Sequence, residues 1–262
     1  MTVLFADDQN TTIIVLGASG DLAFKKTYPA LYGLFYYDML PKSFQIVGYA
    51  RSEITITDFK QRVSSKIKGD LSKLTEFLDA CFYVSGKYDE DSSFQKLNGV
   101  ITRLEESSNT RIKNRVFYMA LPPSVFIPAS NGLKKNCYIS NPHTNRIVVE
   151  KPFGKDLDSS RELSSALASC WSEDEIYRID HYLGKEMVKN LMTLRFSNMI
   201  VGSIWNKSSI HNVQITFKEP IGTEGRGGYF DEFGIIRDVF YFNLDYAEPS
   251  FSNIVDCCNE SS

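Results

Sequence analysis

The sequence predicts an α/β fold, a parallel sheet covered by helices on both faces. Two observations carry this. Short apolar, β-branched runs recur along the first part of the chain, at Thr11–Leu16, Phe44–Ser52, Cys81–Val84, Arg115–Leu121 and Arg146–Glu150. Helical patterns lie between them, and no internal repeat or low-complexity linker interrupts the series. Continuous apolar runs suit strands buried on both sides, and strict strand–helix alternation returns each strand parallel to the last. The expectation is a Rossmann-like doubly wound parallel sheet.

The elements follow in order. Helical spacing of Leu31, Leu34 and Phe35 marks Lys25–Tyr37 as the first helix. Thr57–Lys68 reads as a helix with Thr57 as N-cap, and Leu71–Ala80 as another. Ser93–Leu104, Val125–Lys135 and Asp156–Ser169 are the remaining helices of the series. The polar stretches Ser107–Asn114 and Ser140–Asn145 read as exposed loops, with His143 in the second.

Gly17-Ala18-Ser19-Gly20-Asp21-Leu22-Ala23 joins the first strand to the first helix. Strand, glycine turn and helix present backbone N–H groups and a helix N-terminus to a pyrophosphate. Gly17 permits a tight turn, Gly20 lets backbone approach the phosphates, and Ser19 can add a hydroxyl donor. The spacing is G-x-x-G, so the generic dinucleotide fingerprint is incomplete, and a capped turn without a ligand stands as the alternative. After the second strand comes Arg51, where NAD-selective sites place an acid for the ribose 2′-hydroxyl. A guanidinium fork there favours a 2′-phosphate, hence NADP, against the alternative of a solvent-facing arginine.

At 262 residues, 43 % apolar and 23 % charged, the chain has the material for a sizeable core in one or two domains. A net charge of −3 gives no basic surface for nucleic acid or an anionic membrane. Most of the 18 Phe and 14 Tyr should be core. Five cysteines, an odd number with the first three scattered and no C-x-x-C, indicate neither a disulfide framework nor a zinc site, and fit a reducing cytosol. Residues 1–10 lack the basic and apolar regions of a signal peptide, and no apolar run is long enough to span a bilayer. The expected location is the cytoplasm.

Chemistry concentrates in Tyr177-Arg178-Ile179-Asp180-His181-Tyr182-Leu183-Gly184-Lys185-Glu186. If this run is helical from Asp180, His181 and Lys185 share a face and suit a small phosphorylated ligand. Asp180 would then point about 100° away and can orient an imidazole on another segment. A solvated helix face with a chance ion pair is the alternative. Lys151 closes the fifth strand at its carboxyl end, where open α/β sheets bind ligands; it can also be an ordinary salt-bridged surface lysine. Beyond, Glu186–Phe196 reads as helix with Val188, Leu191, Met192, Leu194 and Phe196 in a core. Ile204–Asn206 reads as a turn, His211–Glu219 as an alternating strand with His211 at its edge, and Phe233–Val239 as a helix start.

Tyr177–Glu186 resembles, residue for residue, the signature of glucose-6-phosphate dehydrogenases. The Gly17–Ala23 loop, with Tyr28-Pro29-Ala30-Leu31 behind it, is similar to that family's coenzyme loop, Phe24 departing from its usual Lys; the likeness runs from about Thr11 to Val239. The resemblance implies hydride transfer from C1 of glucose 6-phosphate to NADP⁺, giving 6-phosphogluconolactone and NADPH in the pentose phosphate pathway. It assigns Gly17, Ala18, Ser19, Gly20, Asp21, Leu22, Ala23 and Arg51 to NADP. Lys151, before a cis proline, touches both ligands; His181, Tyr182 and Lys185 hold the 6-phosphate; Glu219 and Asp238 hold sugar hydroxyls. Asp180 and Lys151 belong to the catalytic set, and no metal is implied. It implies two domains, 1–176 for NADP and 177–262 as the start of an incomplete α+β substrate domain with an antiparallel sheet.

The resemblance stops at the tail, 240–262. Asn243 stands where the family has its general-base histidine, which Asp180 would orient. An amide is not basic near neutral pH, and losing a positioned base costs about 10²–10⁴-fold. The family's chains are about twice as long, so much of the antiparallel sheet and the dimer surface would be absent. The expectation is a C-terminally truncated family member of low or no activity. Its alternative is a non-catalytic NADP-binding protein or an unstable truncated product with exposed apolar surface.

Overall fold

A computed structural model describes residues 8–108, 110–141, 144–150, 157–179, 185–212, 214, 227, 231 and 234. The six strands are β1 (Gln9–Leu16), β2 (Ser43–Ala50), β3 (Cys81–Ser85), β4 (Ile112–Met119), β5 (Asn145–Glu150) and β6 (Ile176–Ile179). All pair in parallel, in the order β3-β2-β1-β4-β5-β6. This is the doubly wound order, with its reversal between β1 and β4.

Burial follows from the two-residue period of β1. Ile14 and Leu16 face one helical layer, α4 (Asp91–Ser107), α5 (Phe126–Asn136) and α6 (Leu157–Cys170). Ile13 and Val15 face the other, α1 (Tyr28–Tyr36), α2 (Ile56–Ser64) and α3 (Leu74–Asp79). A central strand covered on both sides has no polar face, hence its β-branched composition. Gly132 in α5 allows the close crossing with α4, since a β-carbon there would meet the Phe94 ring at 2.2 Å.

Several expectations are corrected. The N-cap of α2 is Thr55, not Thr57; its Oγ1 accepts from Asp58 N–H at 3.1 Å and donates to Asp58 Oδ2 at 2.8 Å. In Ser107–Asn114, Ile112–Asn114 already belongs to β4. Thr144 and Asn145 are buried; Asn145 clamps the preceding loop by accepting from Ile139 N–H and donating to Ile139 O. β6 was not foreseen, and it places Tyr177–Ile179 in the first sheet rather than at the start of a second domain. Its only buried residue is Ile176, so it lacks the apolar signature of the inner strands.

Packing divides the chain into two units, Met1–Ile179 and Asp180–Ser262. In the second, α7 (Glu186–Phe196) is followed by an unforeseen α8 (Met199–Ile204), after which Asn206–Ser209 turns. Of the core expected on α7, Met192, Leu194 and Phe196 are exposed and Leu191 is half-buried; Met199 and Ile200 are exposed at 90 % and 78 %. α8 packs on α7 and, at six residues, is too short to cover that face. The side chain of Val188, His143 and most of the predicted 211–219 strand and 233–239 helix lie outside the described residues; His211, Asn212 and Gln214 are not in a strand. No described helix is long and apolar enough to cross a membrane.

Candidate functional site

The glycine turn sits at the switch point of the sheet. Gly17 has φ +76°, and a β-carbon on it would lie 2.1 Å from the Ala120 carbonyl oxygen at the end of β4. Its N–H donates to Tyr49 O at 2.9 Å and to the Tyr88 hydroxyl at 3.1 Å, and Ala18 N–H donates to Tyr49 O at 3.2 Å. Gly20 N–H closes the turn on Gly17 O at 2.8 Å, and the first helical bond runs from Phe24 N–H to Gly20 O at 3.2 Å. The N–H groups of Ser19, Asp21, Leu22 and Ala23 thus have no backbone acceptor among the described residues. Such N–H groups at the positive end of a helix form an anion cradle.

The helix entering from this loop is widened. Ala23–Thr27 is a π-helical turn in which Tyr28 N–H reaches back five residues to Ala23 O. Pro29 supplies the cause: it has no N–H for the Lys25 carbonyl, and its ring would clash there in a regular α-helix. The turn seats Phe24 and Tyr28 against Phe59, with ring centroids 6.2 and 5.4 Å away. Among the described residues, neither the buried Tyr28 hydroxyl nor the buried Thr27 hydroxyl has a hydrogen-bond partner.

Arg51 follows β2, exposed, with no hydrogen bond or ion pair among the described residues. Beneath it the hydroxyls of Ser19 and Ser52 meet at 3.1 Å, and Tyr83 donates to Ser52 O at 2.6 Å. Burial pushes the Tyr88 phenol up to about 12, opposed by the bond from Gly17 and the nearby Arg51 guanidinium. Asp21 is exposed and pairs with Lys25 at 2.8 Å, which holds its carboxyl below the usual range. Gly17–Ala23 and Arg51 are therefore brought to one edge of the sheet.

Tyr88, Tyr83, Ser52, Tyr118 and Glu150 share that edge, and sequence reasoning passed over them as site residues. All but Tyr83, the middle residue of β3, lie near or just beyond the carboxyl end of a strand, the one signal that would have found them. Lys151, Asp180, His181, Tyr182, Glu219, Asp238 and Asn243 lie outside the described residues. Lys185 is the exposed N-cap of α7, with extended backbone at φ −67° and ψ 132°. α7 begins only at Glu186, so Lys185 precedes the helix on which it was expected.

A family profile described as glucose-6-phosphate dehydrogenase, NAD binding domain, matches residues 14–190, a span that takes in this loop and all but the start of the sheet. The chain belongs to the glucose-6-phosphate dehydrogenase family. The profile of the family's C-terminal domain matches residues 192–243. Curated glucose-6-phosphate 1-dehydrogenases are 57 % identical over 93 % of this chain in Emericella nidulans and 56 % over 89 % in Dictyostelium discoideum; each match covers 47 % of the relative. A solved glucose-6-phosphate dehydrogenase in complex with its substrate glucose-6-phosphate superposes at TM-score 0.82, with 47 % identity, over 91 % of this chain and 50 % of that one. The Mycobacterium avium enzyme superposes at 0.73 with 33 % identity, over 88 % of this chain and 49 % of its own. The chain thus spans about half the length of the relatives it matches, and its first unit is the family's dinucleotide-binding fold.

Proposed function

We propose that the chain binds NADP, with the Gly17–Ala23 cradle on the pyrophosphate and Arg51 on the 2′-phosphate. One observation carries this reading: unpartnered N–H groups at a helix start lie beside an exposed guanidinium with no ion pair of its own among the described residues. When bound, the coenzyme supplies the hydride acceptor. The reaction is that of the family, oxidation of glucose 6-phosphate at C1. His181, Tyr182 and Lys185 take the 6-phosphate and Lys151, Glu219 and Asp238 the sugar, while Asp180 is the residue that would orient the general-base imidazole, in whose place this chain has Asn243. The substrate region begins at the end of β6, and the chain works in the cytoplasm.

In this reading turnover by the chain is low, because Asn243 replaces the proton acceptor. A second reading, a coenzyme-binding protein without catalysis, is favoured by the same residue. Calorimetric titration with NADP⁺ and NAD⁺ tests the first claim; equal affinity for both would remove Arg51 from its role. An NADPH absorbance assay with glucose 6-phosphate tests the second, since turnover matching a full-length relative would contradict the loss of the base.

A further inference from the structure

The glycine turn and Arg51 occupy the carboxyl ends of the strands. A cavity of about 440 Å³ lies at the opposite end, around the starts of β5 and β6, and cavities of that size take small ligands. Lys134 reaches it from the last turn of α5, and Tyr138 and Ser140 from the loop that follows. Arg146 is the second residue of β5, Asp174 and Glu175 precede β6, and Tyr177 is the second residue of β6. All of them belong to the first unit.

Most of these groups are committed to one another. The buried Glu175 carboxylate accepts from the Tyr138 hydroxyl at 2.7 Å and from Ser172 N–H and Oγ at 3.0 and 3.1 Å. Lys134 Nζ lies 3.7 Å from the same carboxylate, and 3.3 and 4.9 Å from the centroids of the Tyr138 and Trp171 rings. Burial acts to raise the Glu175 carboxyl, but these bonds and the Lys134 charge outweigh it and hold the group below its usual range.

Arg146 is the exception. It is half-buried, and because Tyr177 pairs with Val148, Tyr177 is its diagonal neighbour on the same face. Among the described residues its guanidinium has no hydrogen bond or ion pair, although Asp174 and Glu175 line the same cavity. Five N–H donors partly withdrawn from water cost free energy until an acceptor meets them. A guanidinium fork fits a carboxylate or a phosphate, and the charges on the wall separate the two. Lys134 and Arg146 balance Asp174 and Glu175, so a carboxylate leaves the filled cavity with one net negative charge, and a phosphate ester, doubly charged near neutral pH, with about two. Ser140 and Tyr177 offer hydroxyls, and Asp174 an acceptor with no ion pair among the described residues, to the rest of the molecule.

We infer that this cavity binds a small hydroxylated monocarboxylate, its carboxylate on the Arg146 fork and its hydroxyl groups on Asp174, Ser140 and Tyr177. The site is separate from the coenzyme edge and does not rest on the NADP reading.

The test is a ligand-observed NMR titration of the full chain with gluconate, with glucitol, which has the same carbon chain without the carboxylate, and with inorganic phosphate. Gluconate should bind with a Kd of about 1 mM, and glucitol and phosphate at least about tenfold more weakly. Arg146→Met should weaken gluconate about tenfold, and Arg146→Lys, which keeps the charge and loses the fork, should recover only part of that. Asp174→Asn should narrow the preference for gluconate over phosphate. NADP⁺ affinity should be the same in all three variants. Gluconate affinity untouched by Arg146→Met, equal binding of glucitol, tighter binding of phosphate, or no binding of gluconate at all would each overturn the inference. Displacement of gluconate by glucose 6-phosphate would put it in the substrate region and overturn it as well. Should Arg146→Met fail to fold, Arg146→Lys decides: parental affinity for gluconate there removes the fork from its role.

Discussion

Gly17 and Ala120 approach so closely that a β-carbon on the glycine would lie 2.1 Å from the alanine carbonyl oxygen. The contact joins the glycine turn to the end of β4 across the switch point, and the turn needs φ +76° as well. Gly17→Ala must therefore separate two strands and strain the backbone, a destabilisation of about 3 kcal/mol or more. Gly33 in α1 is the control, because nothing lies within 4 Å of a β-carbon there. Gly33→Ala should stabilise by about 0.5–1 kcal/mol. Urea denaturation of both variants checks the contrast, and a Gly17→Ala protein as stable as its parent would count against the contact.

Arg51 controls coenzyme choice if it binds a 2′-phosphate. Arg51→Ala should weaken NADP⁺ binding by about 10- to 100-fold and leave NAD⁺ nearly unchanged, since one charge-assisted fork is removed. Fluorescence titration with the two coenzymes measures it. Parallel losses for both would mean that Arg51 supports the loop, with Tyr88 as the route, rather than reading the phosphate.

Arg115 and Glu105 form a buried ion pair that ties α4 to β4. Arg115 Nε and Nη2 donate to the two carboxylate oxygens at 2.8 and 2.7 Å, and Nη1 donates to Asn98 Oδ1 and Cys137 O, both at 2.7 Å. Thr12 adds a hydroxyl at 3.3 Å to Glu105. Removing one partner leaves a buried, uncompensated charge, so Glu105→Ala should cost about 3–5 kcal/mol. Pairing it with Arg115→Met should cost less than the two single losses combined, because the stranded charge is gone. Strict additivity in a denaturation cycle would show that the charges are not coupled.

The parallel sheet was legible because its inner strands carry continuous apolar runs, such as Ile13–Leu16 and Val116–Met119, and its helices repeat on the proper period. Gly17–Ala23 and Arg51 could be placed because both lie within a few residues of a strand end. What escaped had a different physical basis. β6 is an edge strand whose Tyr177, Arg178 and Ile179 are exposed, so it carries no burial pattern to read. Thr55 and Thr57 are equally good caps by type, and only the reciprocal bonds to Asp58 separate them. Tyr118 and Glu150 looked like strand residues because the diagonal that joins them depends on register between two strands far apart in sequence. The apolar face of α7 was recognised, but a sequence pattern cannot say whether anything covers it.

Alkaline pH offers a test of the core itself. The thiols of Cys81 and Cys137 are buried in opposite helical layers, and burial pushes each from 9.0 up to about 12. Burial does the same to the Tyr88 phenol, from 10.0 to about 12, and raises Tyr28, Tyr49 and Tyr118 as well. Below pH 9.0 the thiols keep their protons in both folded and unfolded chains, and stability has no slope from them. Between about 9 and 12 the folded chain holds more protons than the unfolded one, so stability falls as pH rises, by at most about 1.4 kcal/mol per pH unit for each group. Cys81→Ala combined with Cys137→Ala should lower stability at neutral pH through lost packing, yet flatten the alkaline slope. Urea midpoints followed by tryptophan fluorescence from about pH 7.5 to about 10.5 measure both effects, with Trp171 in the α4–α6 layer as reporter. A parent chain whose midpoint stays constant across that range would mean that these thiols and phenols reach solvent in the folded state.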